Sequence, residues 1–231
     1  MKFTSELLFA EMSVEILSCA QPEPEKEEYL SPDTDLLLSI VRMGSLQLEA
    51  QGLCEDLQDE ELISSLPDQT CVEQVLSLCQ TRAPNTSLSR TWSPGYSERD
   101  PARDIVVFQW NILSQALSTS IDNFQSPAAC LDWESRRWRV VEEMVRQEAD
   151  IICLQEVDHY RLLERILTSL GYRGMFVAKP DSPCLYVANN NGPDGCAIFY
   201  RADKFHCDRA EVSFSNHTVR LDHWFQGNMG L

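Results

Sequence analysis

The 231-residue chain carries 36 acidic and 19 basic side chains, which gives a formal net charge of −17 at pH 7. This charge argues against broad nonspecific nucleic-acid binding, which depends on a basic surface, although it leaves room for a local basic pocket. An apolar content of 43% and a charged content of 24% are typical of a soluble globular protein. The length suits one sizeable domain with a leader.

The acidic excess lies mainly in the amino-terminal part of the chain. Residues 1–100 hold 19 acidic and 6 basic side chains, a net charge of −13. Thr70 and Glu73 form a capping-box pattern, followed by apolar residues at helical spacing, which predicts a helix near 70–82. We expect residues 1–102 to form an acidic, mostly disordered leader around that helix, because the rest has little apolar surface to bury. Such a leader suits binding to protein partners.

Composition also predicts the compartment. The nine cysteines include no CxxC pair and no grouping at zinc-finger spacing, which indicates reduced thiols. No stretch approaches the ~20 apolar residues of a membrane span. Glu6, Glu11 and Glu15 interrupt any signal-peptide hydrophobic region and argue against an organellar transit peptide. We therefore expect a cytoplasmic protein without a membrane segment.

Two apolar runs predict neighbouring strands that end in polar side chains. Residues 151–154 are four consecutive apolar residues, typical of a strand buried on both faces, and Glu156 follows them. Residues 104–111 form a similar run that ends at Asn111. A helix predicted from Trp133 to about Glu148 makes this a βαβ unit, so the strands should be parallel and their carboxyl ends should share one edge. Glu156 is therefore well placed to bind Mg²⁺, which usually takes only one or two protein carboxylates.

Three positions after this unit have both a structural and a functional interpretation. Lys179 follows a predicted strand over 172–178 and is either a solvated surface lysine or a pocket residue. Residues 189–195 form either a plain turn, with glycines at positive φ, or an active-site rim that brings Asp194 near the substrate. His159 is as well suited to packing a loop as to catalysis.

An ordered set of short motifs resembles the endonuclease/exonuclease/phosphatase superfamily, and within it the deadenylase-like branch. The resemblance covers about residues 104–205. Its motifs are Gln109-Trp110-Asn111-Ile112-Leu113, Asp122-Asn123-Phe124, Trp133-Glu134-x-Arg136, Gln155-Glu156-Val157-Asp158-His159-Tyr160, Leu170-Gly171-Tyr172-x-Gly174, Lys179-Pro180-x-Ser182-Pro183-Cys184-Leu185 and Asn190-Asn191-Gly192-Pro193-Asp194-Gly195.

The resemblance implies a fold, a cofactor and a set of site residues. The fold would be the amino-terminal half of a four-layer α/β sandwich, in which two packed sheets are flanked by helices. The activity would be Mg²⁺-dependent phosphoester hydrolysis. Glu156 would be the metal ligand, and Asn111 would share the catalytic role by positioning metal and phosphate. Lys179, Asn190 and Asp194 would bind the substrate.

The sequence also departs from the family's pattern. The family's general-base histidine and its water-orienting aspartate lie in a second half that we do not find here. We expect a partial domain over 103–205 and a divergent tail over 206–231, within which residues 216–231 show no strand pattern. Half a sandwich should leave several apolar strand residues without their full set of partners: Ile105, Val107, Ile152, Leu154, Ile198 and Phe199.

Three functions remain open. The resemblance favours removal of the 2′-phosphate of NADP(H), because the segments 179–185 and 190–195 follow a narrow group within the branch and not the general deadenylases. The alternative enzyme is a poly(A)-specific 3′ exoribonuclease that acts on mRNA. The third function is that of a catalytically inert product that only binds partners through its leader.

Overall fold

Two four-stranded sheets form the framework of the chain. The computed structural model describes residues 2–7, 10–18, 57–83, 104–120, 124–179, 182–188, 190–214 and 217–220. The strands are β1 (Lys2–Leu7), β2 (Ala10–Ser18), β3 (Val107–Asn111), β4 (Ile151–Val157), β5 (Tyr172–Ala178), β6 (Gly195–Arg201), β7 (Phe205–Phe214) and β8 (His217–Arg220). The helices are α1 (Leu57–Ser65), α2 (Val72–Arg82), α3 (Gln115–Ser120), α4 (Ala128–Leu131), α5 (Trp133–Arg146) and α6 (Tyr160–Ser169), with a 3₁₀ helix at Pro183–Tyr186.

The first sheet has the order β3-β4-β6-β5. Strands β3 and β4 are parallel, with Asn111 opposite Gln155, whereas β6 runs antiparallel to both β4 and β5. Helix α5 lies between β3 and β4 in the chain, so the predicted βαβ unit is confirmed. The carboxyl ends of β3 and β4 therefore meet at one edge of the sheet.

Strand β4 is buried on both faces, as its apolar run predicts. Ile152 and Leu154 join the helix-side core, the cluster that the first sheet forms with the helices α2, α5 and α6. Ile151 and Cys153 point the other way, into the inter-sheet core, which also contains Phe205 of β7. All four side chains are at most 3% exposed. A polar residue could not replace any of them without losing its hydrogen bonds to water.

The second sheet has the order β1-β2-β7-β8 and contains both ends of the described chain. The expectation that residues 216–231 lack a strand pattern is wrong over 217–220, and the tail expected to diverge also contributes most of β7, Phe205–Phe214. Apolar residues alternate at 205 and 207 and again at 210, 212 and 214, with the phase shifted in between. A β-bulge absorbs that shift, because Glu15 pairs with Arg209 and Ile16 with Cys207, which leaves Asp208 unpaired. Residues 221–231 lie outside the described part.

Most of the apolar strand residues expected to lack partners are covered. Ile152, Leu154 and Phe199 lie in the helix-side core and Ile198 lies in the inter-sheet core, all at most 1% exposed. The second sheet covers the face that sequence analysis left open, and β1 packs against β4 and β6. Only the other two of the six behave as expected, since Ile105 and Val107 are 37% and 45% exposed.

Two helices from the predicted leader dock on the helix-side core. Helix α2 starts at Val72, near the predicted position, and buries Val75 and Cys79. Its cap differs from the prediction, because the capping box joins Cys71 and Gln74, whose side chain accepts the backbone N–H of Cys71 at 3.2 Å. Helix α1 was not predicted, since its sequence is acidic and weakly amphipathic, yet it packs against α6.

The remaining leader predictions concern other parts of the chain. Residues 19–56 and 84–103 lie outside the described residues, so the disorder expected there and the domain limit near 103 stay predictions. None of the described helices combines the length and the apolar character that a membrane crossing requires.

Two glycines next to strands of the first sheet, Gly171 and Gly195, are required for different physical reasons. Gly171, after α6, has a φ of 87° and open space around its missing Cβ. At Gly195, which begins β6, there is no room for a side chain, because a Cβ would lie 2.2 Å from the carbonyl oxygen of Val177. The neighbouring strand is part of the sheet and cannot yield at low cost.

We predict that Gly195→Ala destabilises the chain by about 1–3 kcal/mol through overpacking against β5. Gly171→Ala is the matched control, with a cost of about 1 kcal/mol for its positive φ alone. Urea unfolding of the two variants measures the difference. An equal loss for both would mean that β5 moves aside and that the close approach is unimportant.

Candidate active site

The two strand-end residues that the sequence singles out lie in direct contact. The side-chain amide of Asn111, at the end of β3, donates a hydrogen bond from Nδ2 to Oε1 of Glu156 at 2.7 Å. Parallel pairing of β3 with β4 brings them together, since Asn111 is opposite Gln155. The predicted meeting of a carboxylate and a carboxamide at this edge is therefore confirmed.

A β-bulge gives Glu156 its direction. The register between β4 and β6 shifts between Leu154 and Val157, and Glu156 has a φ of 54°, in the left-handed region. Both Leu154 and Val157 belong to the helix-side core. In a regular strand the side-chain period of two would point residue 156 into that apolar core after Leu154. The extra residue instead directs the carboxylate to the sheet edge, at a conformational cost of roughly 1–3 kcal/mol.

The loop after β3 fixes the orientation of the Asn111 amide. Its Oδ1 accepts a hydrogen bond from the backbone N–H of Leu113 at 3.0 Å, which leaves Nδ2 facing Glu156. Arg136 of α5 holds the same loop by donating from Nη1 to the carbonyl oxygen of Ile112 at 2.9 Å. Burial lowers the pKa of Arg136, although the charge of Asp158 opposes this. The arginine of the Trp-Glu-x-Arg motif thus stabilises the loop that orients Asn111.

Asp158 is a further site-building residue, to which sequence analysis gave no role. Its Oδ2 accepts hydrogen bonds from the backbone N–H groups of Gln115, at 2.7 Å, and Ala116, at 3.3 Å. Burial raises the pKa of this carboxyl, whereas these two bonds and the nearby His159 act in the opposite direction. Asp158 ties the loop after β4 to the first turn of α3. The signal for it was an acidic residue two positions after Glu156 in the same motif.

His159 packs the loop after β4, where it also lines a cavity of about 130 Å³ with Asp59 and Asn191. The ring stacks on Trp133 with centroids 4.2 Å apart and an interplanar angle of 16°. Its Nδ1 lies 2.7 Å from Oδ2 of Asp59, a buried carboxylate on helix α1. Of the two roles that the sequence left open, the structure supports packing. Asp59 itself was missed, because no local pattern marks a residue that pairs with a partner 100 positions away.

The predicted rim loop faces β5 and α3. The carbonyl oxygen of Asp194 accepts the backbone N–H of Lys179 at 2.8 Å, which puts the lysine beside the loop. Asn190 stabilises a turn, since its Oδ1 accepts the N–H of Gly192 at 2.8 Å. It also lines a cavity of about 260 Å³ together with residues of α3. The roles of Lys179 and Asn190 in substrate binding stay predictions.

Asp194 has a different environment from the one expected of a substrate-binding group. The residue is 1% exposed, and its carboxylate accepts hydrogen bonds from the hydroxyl of Ser182 and the thiol of Cys184. The backbone N–H of Asp194 in turn donates to the Ser182 hydroxyl at 3.1 Å. These bonds close the 182–194 segment on itself. The carboxylate therefore holds the rim together from inside, and only its backbone reaches the side of Lys179.

Glu156 is the described residue best suited to a metal. Among the residues with defined positions, no three His, Cys, Asp or Glu side chains gather into a cluster that could hold an ion. Glu156 is only partly buried, whereas the amide oxygen of Asn111 is engaged by Leu113. A site with one protein carboxylate and several water or phosphate oxygens fits Mg²⁺ better than a metal that needs a full protein cage. In it, Glu156 would be the ligand and Asn111 would orient it.

Comparison with known proteins gives a consistent result. The model of the endonuclease/exonuclease/phosphatase family matches residues 108–227, which extends past residue 205, where sequence analysis ended the resemblance. Nocturnin from Drosophila melanogaster is 40% identical over 199 residues, covering 75% of this chain and 31% of that protein. The CCR4-Not complex 3′-5′-exoribonuclease subunit Ccr4 from Phaeosphaeria nodorum is 30% identical over 166 residues, covering 69% and 28%.

A solved structure is similar over a shorter region. The human Nocturnin catalytic domain with bound sulfate anion is 36% identical, with a TM-score of 0.39, and the match covers 50% of this chain and 48% of that one. The chain spans about a third of the length of the curated relatives that it matches. The family model accounts for more than half of the chain, and the chain therefore belongs to the endonuclease/exonuclease/phosphatase family.

Proposed function

We propose that this protein is a Mg²⁺-dependent phosphoester hydrolase that removes the 2′-phosphate of NADP(H). The observation that carries the hydrolase proposal is the hydrogen bond between Asn111 and Glu156 at the common end of two parallel strands. Ligands of open α/β sheets bind at such strand ends. The family is generally dependent on divalent metals, and the single accessible carboxylate favours Mg²⁺ among them.

Each site residue then has a distinct task. A bound metal would neutralise charge on the phosphoryl oxygens and raise the reactivity of water. Glu156 would hold that ion, and Asn111 would keep the carboxylate in one orientation by donating to its Oε1. Asp158 and Arg136 would fix the loops on both sides by their bonds to Gln115 and Ile112. Lys179, next to the rim, would supply positive charge for a phosphate of the substrate.

The dinucleotide is supported by three features. The match to nocturnin from Drosophila melanogaster covers 75% of the chain at 40% identity, whereas that to Carbon catabolite repressor protein 4 homolog 1 from Arabidopsis thaliana covers 47% at 38% identity. The sequences of the segments 179–185 and 190–195 resemble those of nocturnin and not those of the general deadenylases. The net charge of −17 also suits a small ligand in a local pocket better than a long polyanion that needs a basic track.

A poly(A) tail is the second candidate substrate. It is favoured by the similarity to Ccr4, whose name describes a 3′-5′-exoribonuclease. A third candidate, an inert protein that binds partners through its acidic leader, has only the leader's composition in its favour. We place any of these functions in the cytoplasm, on the basis of the reduced cysteines expected from the sequence.

Replacement of the metal ligand tests the hydrolase proposal. We expect Glu156→Gln to reduce phosphate release from NADPH at saturating Mg²⁺ by more than about a hundredfold, because outer-sphere groups alone contribute 10–100-fold. The fold should persist, since the glutamine can occupy the same bulge. The same preparations are assayed for shortening of a poly(A) oligonucleotide, which decides between the two substrates.

The matched control is Glu73→Gln, which neutralises an exposed glutamate on α2, far along the chain from the sheet edge. It should leave both activities unchanged. Equal turnover for Glu156→Gln and the parent protein would remove Glu156 from the metal site. No turnover of either substrate by the parent protein would favour the inert candidate.

Loss of the orienting amide should appear in the metal dependence. We expect Asn111→Ala to raise the Mg²⁺ concentration for half-maximal activity by roughly 10–100-fold, because Glu156 then loses the donor that fixes it. A Mg²⁺ titration of phosphate release measures the shift. An unchanged half-maximal concentration with a lower maximal rate would instead indicate that Asn111 acts on the substrate.

A further inference from the structure

A carboxylate from outside the family match is buried beside the candidate site. Asp59 of α1 is 3% exposed and lies well before residue 108, where the family match begins. It accepts hydrogen bonds from Nη1 of Arg137 at 2.8 Å and from Nε1 of Trp133 at 3.2 Å, and it lies 2.7 Å from Nδ1 of His159. A carboxylate buried to this degree is stable only when such partners satisfy it.

The ring of His159 contacts both Asp59 and Asn191. Its Nδ1 lies 2.7 Å from Oδ2 of Asp59, and because an ionised carboxylate only accepts, Nδ1–H is the donor in that bond. The amide Nδ2 of Asn191 lies 2.7 Å from Nε2 and 3.3 Å from Nδ1 of the same ring. Stacking on Trp133 fixes the ring plane. Asp59, His159 and Asn191 therefore form one continuous chain of polar contacts, which we call the 59–159–191 relay.

The relay ends at both walls of the candidate site. His159 directly follows Asp158, which holds the start of α3 through Gln115 and Ala116. Asn191 belongs to the rim loop and lines the cavity between that loop and α3. One residue of α1 is thus connected to the loop after the metal-ligating strand and to the loop expected to contact substrate.

Charge supports the geometry. Burial raises the pKa of the Asp59 carboxyl, but the hydrogen bond and charge of His159, with Trp133 and Arg137, outweigh it, so the pKa is below its ordinary value. Asp59 is therefore ionised at neutral pH. An ionised acceptor makes a stronger bond to the imidazole N–H than a neutral one, which favours a single orientation of the ring.

We infer that Asp59 is a positioning residue of the active site, which acts through His159 on Asn191 and holds the rim loop in the orientation that receives substrate. This inference rests on the proposed function for its kinetic consequence, although not for its structural one. A purely structural role, in which Asp59 only docks α1 on the domain, is the competing explanation.

The segment that carries Asp59 has independent anchors, which makes the two explanations separable. Arg165 of α6 donates to the carbonyl oxygen of Leu66 and, at 2.9 Å, to the carboxylate of Asp68. The backbone N–H of Thr70 donates to the carbonyl oxygen of Ser169 at 2.9 Å. These contacts dock the same segment without touching the relay, so Asp68→Asn is the matched control.

The test compares Asp59→Ala, Asn191→Ala, their double variant and Asp68→Asn in the full chain. We expect each single relay variant to raise KM for NADPH by roughly tenfold with a smaller change in kcat, because the rim is mispositioned and the metal ligand is intact. The double variant should be no worse than either single one, since both break the same relay. Asp68→Asn should leave KM unchanged.

Amide hydrogen exchange of residues 190–195 gives a readout that needs no activity. We expect it to be faster by about tenfold in Asp59→Ala and unchanged in Asp68→Asn. If the parent protein releases no phosphate from NADPH, the proposed function fails, and the exchange rates still decide the relay. Equal exchange in the two variants, or additive KM effects in the double variant, would overturn the inference.

Asp59→Asn covers the case in which Asp59→Ala does not fold. Its amide oxygen can still accept the His159 proton but offers no charge to Arg137. We expect it to fall between the parent protein and Asn191→Ala in both KM and exchange rate. Behaviour identical to Asp68→Asn would count against the relay.

Discussion

The β-bulge at Glu156 is the constraint on which the site depends. Strand β4 must bury alternate side chains in two different cores, so its period of two is imposed from both faces. If that period continued from Leu154 to residue 156, it would bury the Glu156 carboxylate among apolar side chains, at a prohibitive desolvation cost. The left-handed φ of 54° breaks the period at that residue, and Val157 then restores the apolar contact. The strained backbone at Glu156 therefore allows an accessible carboxylate to lie directly at the end of a strand that is buried on both faces.

Buried carboxylates connect the site to the rest of the molecule. Asp158, Asp194 and Asp59 each have a buried side chain with named donors, and Asp150 accepts the backbone N–H of Val106 at 2.8 Å while it pairs with Lys204 at 2.5 Å. Three of these aspartates, at positions 59, 150 and 158, join segments far apart in the chain through backbone N–H groups and side-chain donors, whereas Asp194 closes the 182–194 segment on itself. Part of the strongly acidic composition is thus used internally as cross-connections and does not contribute to a solvated acidic surface.

Local patterns predicted the elements whose partners are close in the chain. The apolar run of β4, the parallel β3–β4 pairing and the meeting of Asn111 with Glu156 all follow from periodicity and the handedness of one βαβ unit. The second sheet did not follow, because a bulge at Asp208 shifts the alternation that would have revealed β7. The buried states of Asp59 and Asp194 were also missed. Their environments are made by distant segments, and an aspartate in an acidic helix or a Gly/Pro loop is usually exposed.

The pairing of β2 with β7 has a consequence for biosynthesis. Strand β2 is complete at residue 18, but its partner on the side away from β1 begins only at residue 205. At about 5–20 residues per second, a ribosome needs roughly 10–40 s to make the residues in between. Throughout that interval the β1–β2 hairpin presents an unpaired edge, which is a template for association with other nascent chains. Shielding of the first eighteen residues during synthesis, for instance by a chaperone, would therefore affect the yield of folded protein more than the stability of the final structure does.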